Sequence, residues 1–214
     1  MSRNSRDDMA IHQKTLAINE ALHALYKNPH TPLTHRNAWE LLVSVILSAQ
    51  CTDERVNRVT ATLFQKYRTL ADYVRASQEE FERDIFSTGF YRQKAKNILA
   101  AARIIEDEFG GEVPGTMNEL LELPGVARKT ANVMLSEWFK CDEGVVVDTH
   151  VRRLALQMGL SRSNNPVVIE QDLMKLVPRK DWRFFSIALV FYGREYCPAK
   201  RHEHNCCLLR KFDI

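Results

Sequence analysis

The chain has 214 residues, which is enough for one domain or for two small interleaved lobes, since a domain usually spans roughly 100–200 residues. Apolar residues at 45% and charged residues at 27% exclude a disordered or collagen-like chain. The 30 basic and 27 acidic side chains leave a net charge of +3, which allows an anionic partner without requiring one. Five cysteines, an odd and unevenly spaced set, argue against a secreted disulfide scaffold.

Neither a membrane span nor a signal peptide is predicted. The longest stretch without a charge, from Leu41 to Thr52, is far shorter than the roughly 20 apolar residues that cross a bilayer. The N-terminus is polar, contains acidic residues and lacks the apolar core of a signal peptide. We therefore expect an intracellular protein without membrane association.

Helical signals follow one another along the first half of the chain. Apolar residues recur at helical spacing from Leu16 to Leu25, and Pro29 ends this first helix. Asn37 opens a capping-box pattern before an apolar run that predicts a central, buried helix. Ser77 and Thr116, each three residues before a glutamate, predict two further helix starts.

The remaining segments keep the helical period. Apolar residues from Ile98 to Ile105 are spaced for a helix that Gly110 and Gly111 end. The best strand candidate, Val145–Val147, is three residues beside a glycine and is more typical of an extended connector. The sequence therefore predicts an all-α fold of about ten short helices.

The segment from Leu120 to Leu135, LLELPGVARKTANVML, predicts two helices joined by a tight turn at Pro124–Gly125. Backbone N–H groups at a helix start lack intrahelical partners and carry the positive end of the dipole. The amides of Val126, Ala127 and Arg128 are therefore placed to bind a phosphate. A corner between two helices, with no ligand, is the alternative, and the turn alone does not decide between them.

A second segment, VVVDTHV, places Asp148 directly before a helix that begins near Thr149. An aspartate there caps the helix by accepting bonds from its first amides. The functional alternative is a carboxylate kept ionised near another charge. Both roles can hold together, because a capping carboxylate has a fixed position.

Taken together, LPGVARKTANVML and VVVDTHV resemble the helix-hairpin-helix DNA glycosylases, specifically the endonuclease III group. LLVSVILSAQCTDERVN, GFYRQKAKNIL and FYGREYC resemble further segments of that group in the same order, from about Trp39 to Cys197. The resemblance implies two helical lobes that flank a DNA-binding cleft. A six-helix barrel lobe would span residues 31–140, with the hairpin near 120–131. Residues 1–30 and 141–214 would form the second lobe, which carries the aspartate.

The resemblance also implies a base-excision-repair DNA glycosylase with AP lyase activity. After the damaged nucleotide leaves the duplex, the uncharged amine of Lys129 would attack C1′ of its sugar and form a Schiff base. β-Elimination would then cut the strand on its 3′ side. A helix N-terminus and partial burial would favour the uncharged amine. Asp148 would stabilise the positive charge on the sugar and move protons.

Other residues take roles from the same resemblance. Gln50 would fill the gap left by the extruded base, because an amide both donates and accepts hydrogen bonds. Gly125 to Arg128 would hold the DNA backbone, with Ala127 usable in place of a common second glycine if its φ is negative. Asp53 is a candidate cap for the helix that follows Gln50. His150 is either a partner of the aspartate or a surface residue.

Several basic residues fit phosphate contacts, and among them we predict only Arg128. The others are Arg152, Arg153, Lys94 and Lys96.

Many members of the group carry a [4Fe–4S] cluster on four C-terminal cysteines spaced C-x6-C-x2-C-x5-C. Counted from Cys197, the other positions here are His204, Cys207 and Asp213. Two thiolates are missing, so we expect no cluster and no other cofactor. Zinc on Cys197, His202 or His204, and Cys207 is the alternative.

The expected partner is double-stranded DNA that contains damaged bases, above all oxidised pyrimidines, or abasic sites. We expect a monomer in the cytoplasm or nucleoid. Two other functions stay open. One is a monofunctional mismatch glycosylase, against which Lys129 argues, and the other is a DNA-binding module without catalysis, which needs neither Lys129 nor Asp148.

Overall fold

The computed structural model of the chain describes residues 3–200, with side chains from residue 9 onward. Every regular element in this part is a helix, which confirms the all-α fold, and none of these helices is long and apolar enough to cross a membrane. Within the described residues the α-helices are α1 Arg3–Leu25, α2 Ala38–Ser48, α3 Asp53–Lys66, α4 Leu70–Arg75, α5 Gln78–Asp84, α6 Tyr91–Glu108, α7 Met117–Glu122, α8 Arg128–Glu137, α9 Thr149–Gln157, α10 Pro166–Leu176 and α11 Trp182–Glu195. Short 3₁₀ helices lie at Phe86–Thr88 and Arg179–Asp181.

The chain divides into two compact units. One runs from Pro32 to Cys141 and contains α2 to α8. The other contains the residues up to Thr31 together with those from Asp142 onward, and so holds α1 and α9 to α11. Each unit has its own cluster of buried apolar side chains.

Helix α2 is the centre of the unit from Pro32 to Cys141. Its leucines Leu41, Leu42 and Leu47 are completely buried, and it packs against α3, α6 and α8. The sequence AWELLVSVILS is apolar on nearly all faces, which suits a helix surrounded by other helices. The prediction of a central, buried helix is confirmed.

The predicted helix starts are capped as expected. Side-chain oxygens of Asn37, Ser77 and Thr116 each accept a bond from the backbone amide three residues further on. In a capping box, the Glu40 carboxylate would accept a bond from the amide of Asn37. Here it accepts bonds from the amide and the guanidinium of Arg36 instead. Short capped helices thus begin where local sequence predicts.

The second unit is built around α9 and α11, which pack against each other, while α1 packs against α10 and α11. Ile18, Leu154 and Leu189 are fully buried in its core. Val145–Val147 belong to no helix or strand, as the connector prediction requires. Val145, four residues before α9 begins, is buried and so anchors the connector in the core.

Candidate active site

The hairpin (residues 123–128) joins α7 to α8 by a tight turn, as predicted. Gly125 has a φ of 83°, a left-handed conformation that side chains disfavour. The amide of Val126 donates to the carbonyl of Leu123 at 3.1 Å and closes the turn. This amide is therefore engaged inside the hairpin, and phosphate binding by the amides of Val126, Ala127 and Arg128 stays a prediction.

Gly125 also packs directly against α6. A Cβ at this position would lie 2.8 Å from Nδ2 of Asn97 and 2.9 Å from its Cβ. Asn97 is itself held in place, because its Oδ1 accepts a bond from Nε2 of Gln93 at 2.8 Å. Glycine is required here twice over, for its φ and for the close approach of the two segments.

Helix α8 begins at Arg128, directly after the hairpin turn. Its cap residue, Ala127, has a φ of −97° and provides no side-chain hydrogen bond to the helix. The negative φ meets the condition set for alanine at this position. The positive end of the helix dipole lies at this cap residue.

Lys129 is the second residue of α8 and its side chain is exposed. The expectation of partial burial is therefore wrong. Arg128, the first residue of the helix, is exposed as well.

Asp148 caps α9 in the other unit. Its Oδ1 accepts a bond from the amide of Val151 at 2.8 Å, and the residue is half-buried. The capping interpretation is confirmed, and it fixes the position of one carboxylate oxygen. The carboxylate is thus pre-oriented for any further role.

His150 lies on the first turn of α9 and is half-buried, so it is not a plain surface residue. Its Nδ1 is buried and has no hydrogen-bond partner among the described residues. A Cβ on Gly193 would lie 2.9 Å from this nitrogen, so the imidazole packs against the glycine of α11. A side chain at position 193, in the FYGREYC segment, would therefore collide with His150.

The glutamine turn (residues 48–52) connects α2 to α3. Gln50 is exposed and has a φ of 53°, which is uncommon for a residue other than glycine. Thr52 caps α3 through its side-chain oxygen, which accepts from the amide of Arg55 at 3.3 Å. The capping role predicted for Asp53 is wrong, because this residue is the first of the helix itself.

Two of the basic residues considered for phosphate contacts are engaged inside the protein. Lys94 is buried, and its Nζ donates to two backbone carbonyls. Arg153 donates through Nη2 to the carbonyl of Cys197 at 2.6 Å. By contrast, Arg152 and Lys96 are exposed.

The aromatic turn (residues 86–91) was not anticipated from the sequence. Phe86 and Phe90 are 64% and 65% exposed, which is unusual for side chains of this size. Phe90 has a φ of 48°, and the ring of Phe86 contacts that of Tyr91 with centroids 4.8 Å apart. Two phenylalanines flanking a glycine between helix starts were the available signal.

Cys197 is the one position of the predicted cluster that the structure describes. It is fully buried, and its Sγ lies 3.6 Å from Nη1 of Arg153. His204, Cys207 and Asp213 lie outside the described residues. Within residues 3–200, no group of three or more histidine, cysteine or acidic side chains could hold a metal ion. One imidazole and one carboxylate in place of two thiolates do not fit a [4Fe–4S] cluster.

Comparison with known proteins places this geometry in a class. The model of the HhH-GPD superfamily of base excision DNA repair proteins matches residues 43–179. The chain is 50% identical to endonuclease III of Synechocystis over 88% of this chain and 86% of that protein. It is 46% identical to endonuclease III of Bacillus subtilis over 82% and 80%. The chain therefore belongs to the endonuclease III family within this superfamily.

Solved structures agree with this assignment. A non-covalent endonuclease III–DNA complex superimposes with a TM-score of 0.90 at 40% identity, covering 94% of both chains. A trapped endonuclease III–DNA covalent intermediate matches with the same values. A thermostable thymine-DNA glycosylase, 21% identical with a TM-score of 0.80, shares the fold.

Proposed function

We propose that this chain is a base-excision-repair DNA glycosylase with AP lyase activity, and that Lys129 is its nucleophile. The observation that supports this most is an exposed lysine on the first turn of a helix that follows a glycine hairpin. The solved relative trapped as a covalent intermediate with DNA supports the same chemistry. Oxidised pyrimidines in duplex DNA are the proposed substrate.

In the proposed reaction the Lys129 amine attacks C1′ of the extruded nucleotide. A bond from nitrogen to C1′ forms, the bond from C1′ to the base breaks, and the base leaves with a proton. The sugar ring opens to a protonated Schiff base, which acidifies the proton on C2′. Loss of that proton expels the 3′ phosphate and cuts the strand.

Asp148 is proposed to stabilise the positive charge that develops at the sugar and to carry protons in the later steps. Its capping bond to the Val151 amide supports this role, because it holds one oxygen fixed and leaves the other for the substrate. A fixed carboxylate needs no reorganisation when charge appears.

DNA binding is proposed to rest on the hairpin and the glutamine turn. The amides at the start of α8, from Ala127 and Arg128, would hold a phosphate on the damaged strand, with Gly125 and Val126 shaping the turn. Gln50, exposed at the tip of its turn, would enter the duplex where the base has left. Binding by phosphate contacts should be strongly weakened by salt.

Borohydride trapping on a duplex with one abasic site tests the proposed function. Reduction fixes the Schiff base as a stable protein–DNA adduct, so a bifunctional enzyme should yield an adduct and a cut strand. A monofunctional mismatch glycosylase would release bases without an adduct, and a binding module would do neither. Either of those results would overturn the proposal.

We further propose that the chain carries no iron–sulfur cluster. The donor set of Cys197, His204, Cys207 and Asp213 lacks two thiolates. The first ligand position is packed inside the protein, where Arg153 bonds its carbonyl. The purified protein should be colourless and keep its activity in a chelator. About four irons per chain would overturn this, and one zinc per chain would favour a Cys/His site.

As an enzyme that acts on DNA, the chain is proposed to work as a monomer in the cytoplasm, at the nucleoid. Its net charge of +3 is compatible with transient binding to DNA and does not call for a second subunit. Sedimentation at micromolar concentration, with and without an abasic duplex, tests the monomer.

A further inference from the structure

Lys94 is a charged side chain in the interior of the unit from Pro32 to Cys141. Only 5% of the residue is exposed, and burial lowers the pKa of its amine. Its Nζ donates to the carbonyl of Leu47 and to the carbonyl of Thr88, both at 2.8 Å. A buried ammonium group is tolerated only where such bonds compensate for the lost water.

The two carbonyls belong to two different turns. Leu47 is in the last turn of α2, where carbonyls lack intrahelical partners and a cation is favoured by the helix dipole. The glutamine turn follows it directly. Thr88 ends the 3₁₀ helix inside the aromatic turn. One side chain therefore ties together segments that are separated by 41 residues, from 47 to 88.

Both turns carry an exposed residue in a left-handed conformation. The φ of Gln50 is 53° and that of Phe90 is 48°, and both residues are exposed. Residues other than glycine persist in this region only where the surrounding structure holds them. Exposed side chains make few contacts that could hold this conformation. Hydrogen bonds to the backbone of each turn must therefore hold it.

We propose that Lys94 is a positioning residue that holds the glutamine turn and the aromatic turn in a fixed relation, so that Gln50 and Phe90 enter the duplex together; this inference rests on the proposed function. Phe90 would stack on a base, as exposed aromatic side chains do on nucleic acids. Gln50 would pair with the base left without a partner. Lys94 touches neither substrate nor the reacting atoms and acts through the two turns.

A positioning role separates two reactions of the same enzyme. Excision of a damaged base from a paired duplex requires extrusion and a filled gap. Cleavage at an abasic site in a single strand requires neither, since there is no partner base. Loss of Lys94 should therefore impair the first reaction and spare the second, whereas a purely structural role would lower both together.

The test compares Lys94→Met with two controls on the same helix. Arg103→Met removes an exposed cation, and Ile105→Val weakens a buried core position. Each variant is assayed on a duplex with an oxidised pyrimidine and on a single-stranded abasic oligonucleotide. A 2-aminopurine opposite the lesion reports whether its stacking changes when the enzyme binds.

Lys94→Met should lower excision from the duplex by about tenfold or more and single-strand cleavage by less than about twofold, with a diminished 2-aminopurine signal. Ile105→Val, whose stability is measured by its thermal shift, should change both reactions equally, and Arg103→Met should change neither. Equal losses on both substrates, or native activity of Lys94→Met, would overturn the proposal.

If Lys94→Met folds poorly, Lys94→Gln serves as the second variant, since its side-chain amide still offers N–H donors, and a double-mutant cycle keeps the test valid. If Lys94 acts through the glutamine turn, combining either variant with Gln50→Ala should add little to the loss caused by Gln50→Ala alone. Full additivity would contradict the proposal. Native enzyme that forms no borohydride adduct would instead contradict the proposed function, so the two failures are distinguishable.

Discussion

Two lysines in the same unit follow similar sequences and have opposite surroundings. Lys129 comes four residues after Gly125, and Lys94 comes five residues after Gly89, each near the start of a helix. Lys129 is exposed on the first turn of α8, whereas Lys94 is buried with its Nζ bonded to two carbonyls. An amine that must attack a substrate needs an open approach, and an amine that must hold two turns needs its donors engaged.

The position of each lysine on its helix explains why one is exposed and the other is buried. Lys129 is the second residue of α8 and is exposed on the first turn of that helix. Lys94 is the fourth residue of α6, on the face that carries the buried Ala95, Ile98 and Leu99. Helical register therefore turns one lysine toward solvent and the other toward the core.

The largest expected effect is on the exposed lysine. Lys129→Gln should lower strand cleavage at abasic sites by about a thousandfold or more, because the proposed nucleophile is lost. Stability should change by less than about 0.5 kcal/mol, since the side chain is exposed. Single-turnover cleavage and thermal unfolding measure the two effects, with Lys175→Gln on α10 as the control for loss of an exposed lysine. If Lys129→Gln cuts abasic DNA at a near-native rate, Lys129 is not the nucleophile.

Asp148 tests whether the exposed lysine works with a carboxylate. Asp148→Asn should lower the cleavage rate by about a hundredfold, because the amide cannot balance positive charge or carry protons. Asparagine caps as well as aspartate, so unfolding should shift by only a few tenths of a kcal/mol, whereas Asp148→Ala should lose about 1 kcal/mol. A fully active Asp148→Asn removes the residue from the mechanism and leaves it as a cap.

Gly125 tests the hairpin that presents Lys129. Gly125→Ala should destabilise the fold by about 2 kcal/mol, because φ is left-handed and the new Cβ meets Asn97. Gly110→Ala is the matched control, since its φ is also positive but nothing lies within 4 Å of its Cβ. Chemical denaturation measures the two, and equal losses would show that the contact with Asn97 contributes nothing.

The smallest expected effect comes from Gln50, in the turn next to the carbonyl that the buried Lys94 contacts. Gln50→Ala should lower excision from a paired duplex by about tenfold and affect cleavage of abasic single strands little, since less has to be held open there. The exposed Gln65→Ala on α3 is the control for loss of an amide side chain. If Gln50→Ala slows both substrates to the same extent, a gap-filling role is excluded.

Local sequence predicted the features that depend on a few neighbouring residues. The caps at Asn37, Ser77 and Thr116, the turn at Gly125 and the cap formed by Asp148 all follow from bonds within three or four residues. The family resemblance added Lys129 and its chemistry, which no spacing rule identifies.

What the sequence could not predict depends on contacts between distant segments. Lys94 looks like a surface lysine until the carbonyl of Leu47, from another helix, is placed beside it. Whether Thr52 or Asp53 caps α3 turns on one residue of register, which patterns do not resolve. The exposure of Phe90 follows from the left-handed backbone of its turn, which residue type alone does not indicate.

The most direct test of the central claim identifies which amine bears the DNA sugar. Native enzyme is reacted with an abasic duplex, reduced with borohydride, digested with nuclease and protease, and mapped by mass spectrometry. We expect the sugar remnant on the peptide that contains Lys129, with the peptide that contains Lys94 unmodified. An adduct on Lys94 or on another amine, or no adduct in an enzyme that cuts the strand, would contradict the account.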